Sequence, residues 1–129
     1  MKVYLDDERK TPEGWFRVVR PEEVITLLRM GLVEEMSLDH DLGQHAFDNE
    51  DAEQRDGTWL CRQILELTLD RKLMVAIVPK WNVHSANPAG AARMRCLLED
   101  WEKAREQIHK ENCQRWLDEN PPKGIEDCV

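Results

Sequence analysis

Two acidic groups, Asp6-Asp7 and Asp39-His40-Asp41, each follow directly on a short β-prone run. Carboxylates at strand ends supply the hard oxygen ligands that magnesium or manganese prefers. A divalent ion held by Asp6, Asp7 and Asp39 would relieve their mutual repulsion and leave coordination positions for water and phosphate oxygens. Singly, each group also reads as an ordinary solvated strand exit or turn. Their chemistry therefore depends on the fold bringing them together.

His40 and His84 each stand near the carboxyl end of an expected strand. Imidazoles titrate near neutrality, so the pair are candidates to take a proton from water and give one to a leaving alkoxide. A histidine in a strand is just as readily a packed, hydrogen-bonded residue. His45 and His109 have weaker claims, one in an expected loop and one on a late helix. Ser85 is adjacent to His84, and neighbouring strand residues point to opposite faces, so Ser85 reads as a phosphate-oxygen donor rather than half of a nucleophilic dyad. Asn87-Pro88-Ala89-Gly90 opens a helix with free backbone N–H groups, a seat for an anion, and Arg93 follows one turn later. Simple capping by Asn87 accounts for the same residues.

Positioning these groups requires alternating strands and helices. Residues 2–6 and 16–19 read as strands, and Pro21-Glu22-Glu23 opens a helix that Gly31 stops. A strand at residues 36–38 runs into Asp39. Residues 44–54 read as a long acidic loop, and Asp56-Gly57-Thr58 precedes a helix carrying Leu60, Ile64 and Leu67. Residues 74–78 form an apolar run before Pro79, either an edge strand or a buried connector. Residues 82–86 read as the last strand, and a long helix from Pro88 stripes Met94, Leu97, Leu98, Trp101 and Ile108 along its inner face. Trp15 and Trp81 fall in or near loops, whereas Trp59, Trp101 and Trp116 fall on helices as core residues. Strands alternating with helices imply an α/β fold with a parallel sheet, and ligands bind such sheets outside the carboxyl strand ends.

At 129 residues, with 41% hydrophobic content, the chain suits one domain, residues 1–119, with residues 120–129 a frayed tail. A net charge of −8 argues against an extended nucleic-acid surface or an anionic membrane, so a phosphate ligand needs a local cation. No stretch approaches the about 18 apolar residues of a membrane span, and the start lacks a basic-then-apolar leader, so a cytoplasmic location is expected. Cys61, Cys96, Cys113 and Cys128 show no metal-site spacing and are expected to be reduced thiols.

Three motifs in order, Leu5-Asp6-Asp7-Glu8-Arg9, Ser37-Leu38-Asp39-His40-Asp41-Leu42-Gly43 and Val83-His84-Ser85-Ala86-Asn87-Pro88, resemble the cyclic-phosphate-processing receiver-like family over about residues 1–95. The conjunction is more specific than any single motif. The resemblance implies a compact receiver-like (flavodoxin-like) three-layer sandwich with a short parallel sheet, here followed by a long C-terminal helix. Asp6 and Asp7 resemble the receiver's metal-binding pair, Asp39 its phosphoacceptor and Ser85 its hydroxyl residue. His40, Asp41, His84 and Asn87 match the family's additional motif residues. No fifth strand with a receiver's phosphate-contacting lysine follows Pro88, and Arg9 or Arg93 are the cations available instead.

The expected activity is a metal-dependent phosphoesterase, with Mg2+ or Mn2+, acting on a cyclic-phosphate nucleotide or RNA terminus. The nucleophile is open between water activated at the metal and Asp39. Two other readings stand beside it: a signalling receiver phosphorylated on Asp39, and a non-catalytic module that binds a cyclic nucleotide or a partner protein.

Overall fold

Val3 and Leu5, and Met36 and Leu38, at every second position of two short runs, with Val18 and Val83 from two others, give the sheet its buried face. A computed structural model describes residues 1–42 and 55–122 of the chain. Strands β1 (Lys2–Leu5), β2 (Trp15–Val18), β3 (Glu35–Leu38) and β4 (Lys80–Val83) form one sheet of order β2-β1-β3-β4, parallel throughout. The register aligns Leu5 with Val18 and Leu38, and Leu38 with Val83. Side chains alternate across a strand, so Val3, Leu5, Val18, Met36, Leu38 and Val83 enter one apolar core. The alternate set, including Lys2, Tyr4, Trp15, Arg17, Ser37 and Asn82, faces the other way.

Among the described residues three helices cover the apolar face. Helix α1 (Pro21–Arg29) starts on proline with Glu22 and Glu23 in its first turn, and buries Val24, Ile25 and Leu28. Gly31, at φ 70°, ends it: the N–H groups of Gly31 and Leu32 return to the carbonyls of Leu28 and Leu27, the left-handed stop that favours glycine. Helix α2 (Gly57–Leu69) is capped by Asp56, whose carboxylate accepts from the Trp59 N–H at 2.8 Å. Helix α3 (Pro88–Glu119) is capped by Asn87, which accepts from the Gly90 N–H at 3.0 Å. Packing between α2 and α3 contributes Leu60, Ile64, Met94, Leu98 and Trp101 to the same core. Right-handed parallel crossovers put α1 and α2 on one side, where α3 packs against α2, and send the β1–β2 connection over the other. That connection, residues 6–14, contains no helix.

The receiver-like α/β architecture, the short parallel sheet and the long final helix are as the sequence implies. Four details differ. The last strand begins at Lys80, two residues ahead of the expected start, and ends at Val83, three ahead of the expected end, because it pairs from its Lys80 N–H onto Glu34. Trp81 therefore lies in a strand, and Trp15 is the first residue of β2. Of the two alternatives expected for residues 74–78 the structure has the connector, irregular, with Val75 buried and Ile77 exposed. Trp116 is 61% exposed, since every residue from 109 to 122 lies outside the core, and Leu97 is only half-buried beside the fully buried Leu98.

Among the described residues no helix is long and apolar enough to cross a membrane. Cys61, Cys96 and Cys113 are free thiols, and burial, with Asp56 nearby, pushes the Cys61 thiol far above its usual range. The expected loop at residues 44–54, with His45, and also Gly43 and Cys128 lie outside the described residues.

Because Leu98 is enclosed and Leu97 is not, Leu98→Ala should cost about 2–5 kcal/mol and Leu97→Ala distinctly less. Urea unfolding of the two variants checks the order; equal losses would mean that α3 is rotated from the orientation described.

Candidate metal and phosphate site

Three main-chain hydrogen bonds carry the ladder one residue beyond the strands. The N–H of Asp6 donates to Val18 at 3.1 Å, that of Asp39 to Leu5 at 3.0 Å, and that of His84 to Leu38 at 3.0 Å. Each functional residue is thus fixed by its neighbouring strand, and alternation puts Asp6, Asp39 and His84 on the same side as Tyr4, Ser37 and Asn82. One ligand atom from each of Asp6, Asp39 and His84 lies within 4.8 Å of the others.

Asp6 is fully enclosed and accepts four contacts. Its Oδ1 takes the N–H groups of Glu8 at 2.8 Å and Arg9 at 2.9 Å. Its Oδ2 takes Nη1 of Arg9 at 3.2 Å and faces Nε2 of His84 at 3.0 Å. Burial alone would raise this carboxyl, but the Arg9 and Glu8 N–H groups with the His84 and Arg9 side chains hold it below the usual carboxylate range. Asp39 goes the other way: burial, then the charge of Asp6, raise it against the opposing pull of Arg9, His84 and the His40 N–H. Its Oδ1 accepts from the His40 N–H at 2.9 Å and lies 3.6 Å from the Arg9 guanidinium. Arg9 also donates to the His84 carbonyl at 3.0 Å, and the bond to Asp6 raises its own pKa.

A carboxylate only accepts, so the Nε2 of His84 that faces Asp6 carries a proton. Its Nδ1 stands 2.6 Å from the Ser37 hydroxyl, and its ring stacks on Tyr4 with centroids 4.3 Å apart and planes 2° from parallel. Burial and the Asp6 charge raise the Tyr4 phenol. Ser37 and Tyr4 escape a search for chemistry-bearing motifs; the period-two pattern Tyr4/Asp6, Ser37/Asp39 and Asn82/His84 is the clue that links them.

His40 belongs to a different network. Its Nδ1 lies 2.7 Å from Asp41 Oδ1 and 3.4 Å from the Asn87 amide, and its Nε2 lies 3.5 Å from Asp56. The ring is buried between the starts of α2 and α3, and a Cβ at Gly90 would collide with it. A Cβ at Gly57 would strike the Asp39 carbonyl and Met94, so glycine at both helix starts lets backbone approach the site. Among the described residues His40 and His84 share no hydrogen-bond partner.

The other expected residues divide. Asp7, half-buried, is not part of the three-residue cluster. The Ser85 hydroxyl accepts from the Asn87 N–H at 3.1 Å, so Ser85 and Asn87 both serve the turn into α3. Asp41 is exposed, and Arg93 is exposed without a hydrogen bond or ion pair among the described residues. Asp6, Glu8, Arg9, Asp39, Asp41 and Ala86 line a concavity of about 170 Å³. Two larger cavities, about 420 and 660 Å³, lie around residues 74–80 at the opposite end of the sheet, away from these groups.

The donor set fits a divalent ion. Two buried carboxylates face one guanidinium, leaving one negative charge without a partner, and Asp39 Oδ2 accepts no hydrogen bond among the described residues. Asp6 and Asp39 are the residues to hold such an ion.

The raised Asp39 gives a signed expectation for the metal-free protein. Its stabilising contribution is complete below the ordinary value of 3.8 and is lost as pH rises through the raised value; that of Asp6 is present above 3.8 and lost as pH falls through its lowered value. Asp39→Asn, which keeps an acceptor for His40, should therefore melt higher than the parent at pH 7 in chelator, with about 4 °C for each kcal/mol gained. The advantage should shrink as pH approaches 3.8. A lower melting temperature at pH 7 would show that Arg9 compensates Asp39 fully.

A family model described as the cyclic-phosphate processing receiver domain matches residues 1–100. No curated protein and no solved structure matches the chain. Because the family match spans well over half of the 129 residues, with every strand and the whole strand-end cluster inside it, the chain belongs to the cyclic-phosphate processing receiver domain family.

Proposed function

We propose that the protein is a metal-dependent phosphoesterase that opens a cyclic phosphate on a nucleotide or an RNA terminus. The observation that carries this reading is the convergence of Asp6, Asp39 and His84 within 4.8 Å at the strand ends, in a chain of this family. Asp6 and Asp39 would hold Mg2+ or Mn2+, which when bound supplies positive charge to the phosphate oxygens. The concavity of about 170 Å³ is below the usual range of about 300–1,000 Å³ for small-molecule pockets and has no aromatic lining among the described residues. It suits the phosphate end of a substrate and leaves the base outside, so recognition rests on the cyclic phosphate rather than the base.

Within this reading the two histidines have unequal roles. His84 keeps a proton at Nε2 on the cluster itself and orients Asp6, and Ser37 can turn its hydroxyl to donate to or accept from Nδ1 as the ring changes charge. That makes His84 the proton donor to an oxygen leaving phosphorus. His40 acts through its main chain, whose N–H holds Asp39 Oδ1, and through its packing against Gly90. If Asp39 Oδ2 is the nucleophile, ring opening leaves an acyl phosphate on Asp39 that water then hydrolyses; if water attacks directly, its proton passes to solvent.

The test is a screen of 2′,3′-cyclic and 3′,5′-cyclic nucleotides and of RNA oligomers ending in a cyclic phosphate, each with Mg2+, Mn2+ or chelator, read by product mass. Metal-dependent ring opening with little difference among bases is expected. Binding without product would identify a non-catalytic module. A stable gain of one phosphoryl group on Asp39 from acetyl phosphate, with no turnover, would identify a signalling receiver instead. If the cyclic phosphate is opened, His84→Ala should lower turnover about 10²–10⁴-fold and remove one limb of the pH–rate profile, with metal affinity nearly unchanged. Full activity in that variant would pass the proton transfer to water.

A further inference from the structure

The cation beside the cluster is Arg9, and it touches both of the carboxylates that would hold a divalent ion. Its Nη1 is 3.2 Å from Asp6 Oδ2 and 3.6 Å from Asp39 Oδ1. Asp6 has no spare capacity: Oδ1 is taken by two backbone N–H groups, and Oδ2 by Arg9 and His84. A dication on Asp6 Oδ2 and Asp39 would place two like charges within a few ångströms of each other, and a guanidinium does not lose its proton to avoid this. One of the two must leave.

The backbone of Arg9 is pinned by its N–H bond to Asp6 Oδ1, whereas its side chain is 45% exposed. The movable part is therefore the side chain alone, which also lines the concavity where a phosphate would sit. We infer that Arg9 is an exchangeable internal counter-ion: it occupies the carboxylates of the metal-free protein, yields them to the divalent ion, and swings to the phosphate side of the pocket. This rests on the metal-dependent reading above. In that scheme Arg9 weakens metal binding, keeps the two buried carboxylates tolerable before the metal arrives, and is released for an anion only when the metal is in place.

The experiment uses Mg2+ or Mn2+ alone with the full chain, by calorimetric titration. Arg9→Gln should bind the ion about 5- to 150-fold more tightly than the parent, the ordinary range of coupling between sites, and should melt lower in chelator. Arg9→Lys, which keeps the charge, should stay near the parent. A readout on the unmutated protein guards against a folding defect in Arg9→Gln: phenylglyoxal modification of Arg9, located by peptide mass, should accelerate when the metal is saturating. Equal or weaker binding by Arg9→Gln, or protection of Arg9 by the metal, would overturn the exchange while leaving the metal site itself in place. Binding by neither protein would overturn both.

Discussion

The hydrogen bond from the Asp39 N–H to the Leu5 carbonyl is a small interaction on which the site depends. It extends the β1–β3 pairing by one residue and so sets Asp39 beside Asp6, at a place where both are buried. Two adjacent carboxylates in such surroundings repel, and burying them costs hydration as well. The Asx turn of residues 6–9, the guanidinium of Arg9 and the proton on His84 are answers to that repulsion. They satisfy Asp6 more fully than Asp39, and the opposite pKa displacements of the two acids follow from the inequality.

The sheet divides labour by parity. One set of positions, Val3, Leu5, Met36, Leu38 and Val83, belongs to the core and to stability. The other, Tyr4, Asp6, Ser37, Asp39 and His84, is polar, interlinked and carries the candidate chemistry. Since the first crossover has no helix, among the described residues it is a short connection that lies on the side of this second set, and that same connection delivers Arg9. Absence of a helix and supply of the cation are thus two aspects of one short segment.

Most of this was legible in the sequence where local chemistry is strong. Pro21 with Glu22 and Glu23, Gly31, Asp56 and the Asn87-Pro88 pair mark helix ends through capping and φ preference, and all four ends appear where those residues stand. Asp6 and Asp39 were recognisable from strand-end position together with the family motifs. What stayed hidden was set by distant contacts. The end of α2 uses Arg71 in the left-handed conformation, φ 57°, where the pattern calls for glycine. The β4 boundary depends on which carbonyl Lys80 reaches. His40 and His84 look equivalent as strand-end histidines, yet the one-residue parity difference between them and the seating of Gly90 on the His40 ring put them in separate networks.

Helix α3 runs for 32 residues, about 48 Å at the usual rise, and only its first two-thirds reach the core. Trp101 and Ile108 are buried beyond the family's matched segment, and Arg105 donates to the Val75 carbonyl at 2.6 Å, tying down the irregular connector. The unit of homology and the unit of cooperative folding therefore do not coincide in this chain. Cutting at residue 100 would preserve every motif and every strand but remove the largest enclosed side chain, so an evolutionary boundary drawn from motifs would fall through the middle of a hydrophobic core.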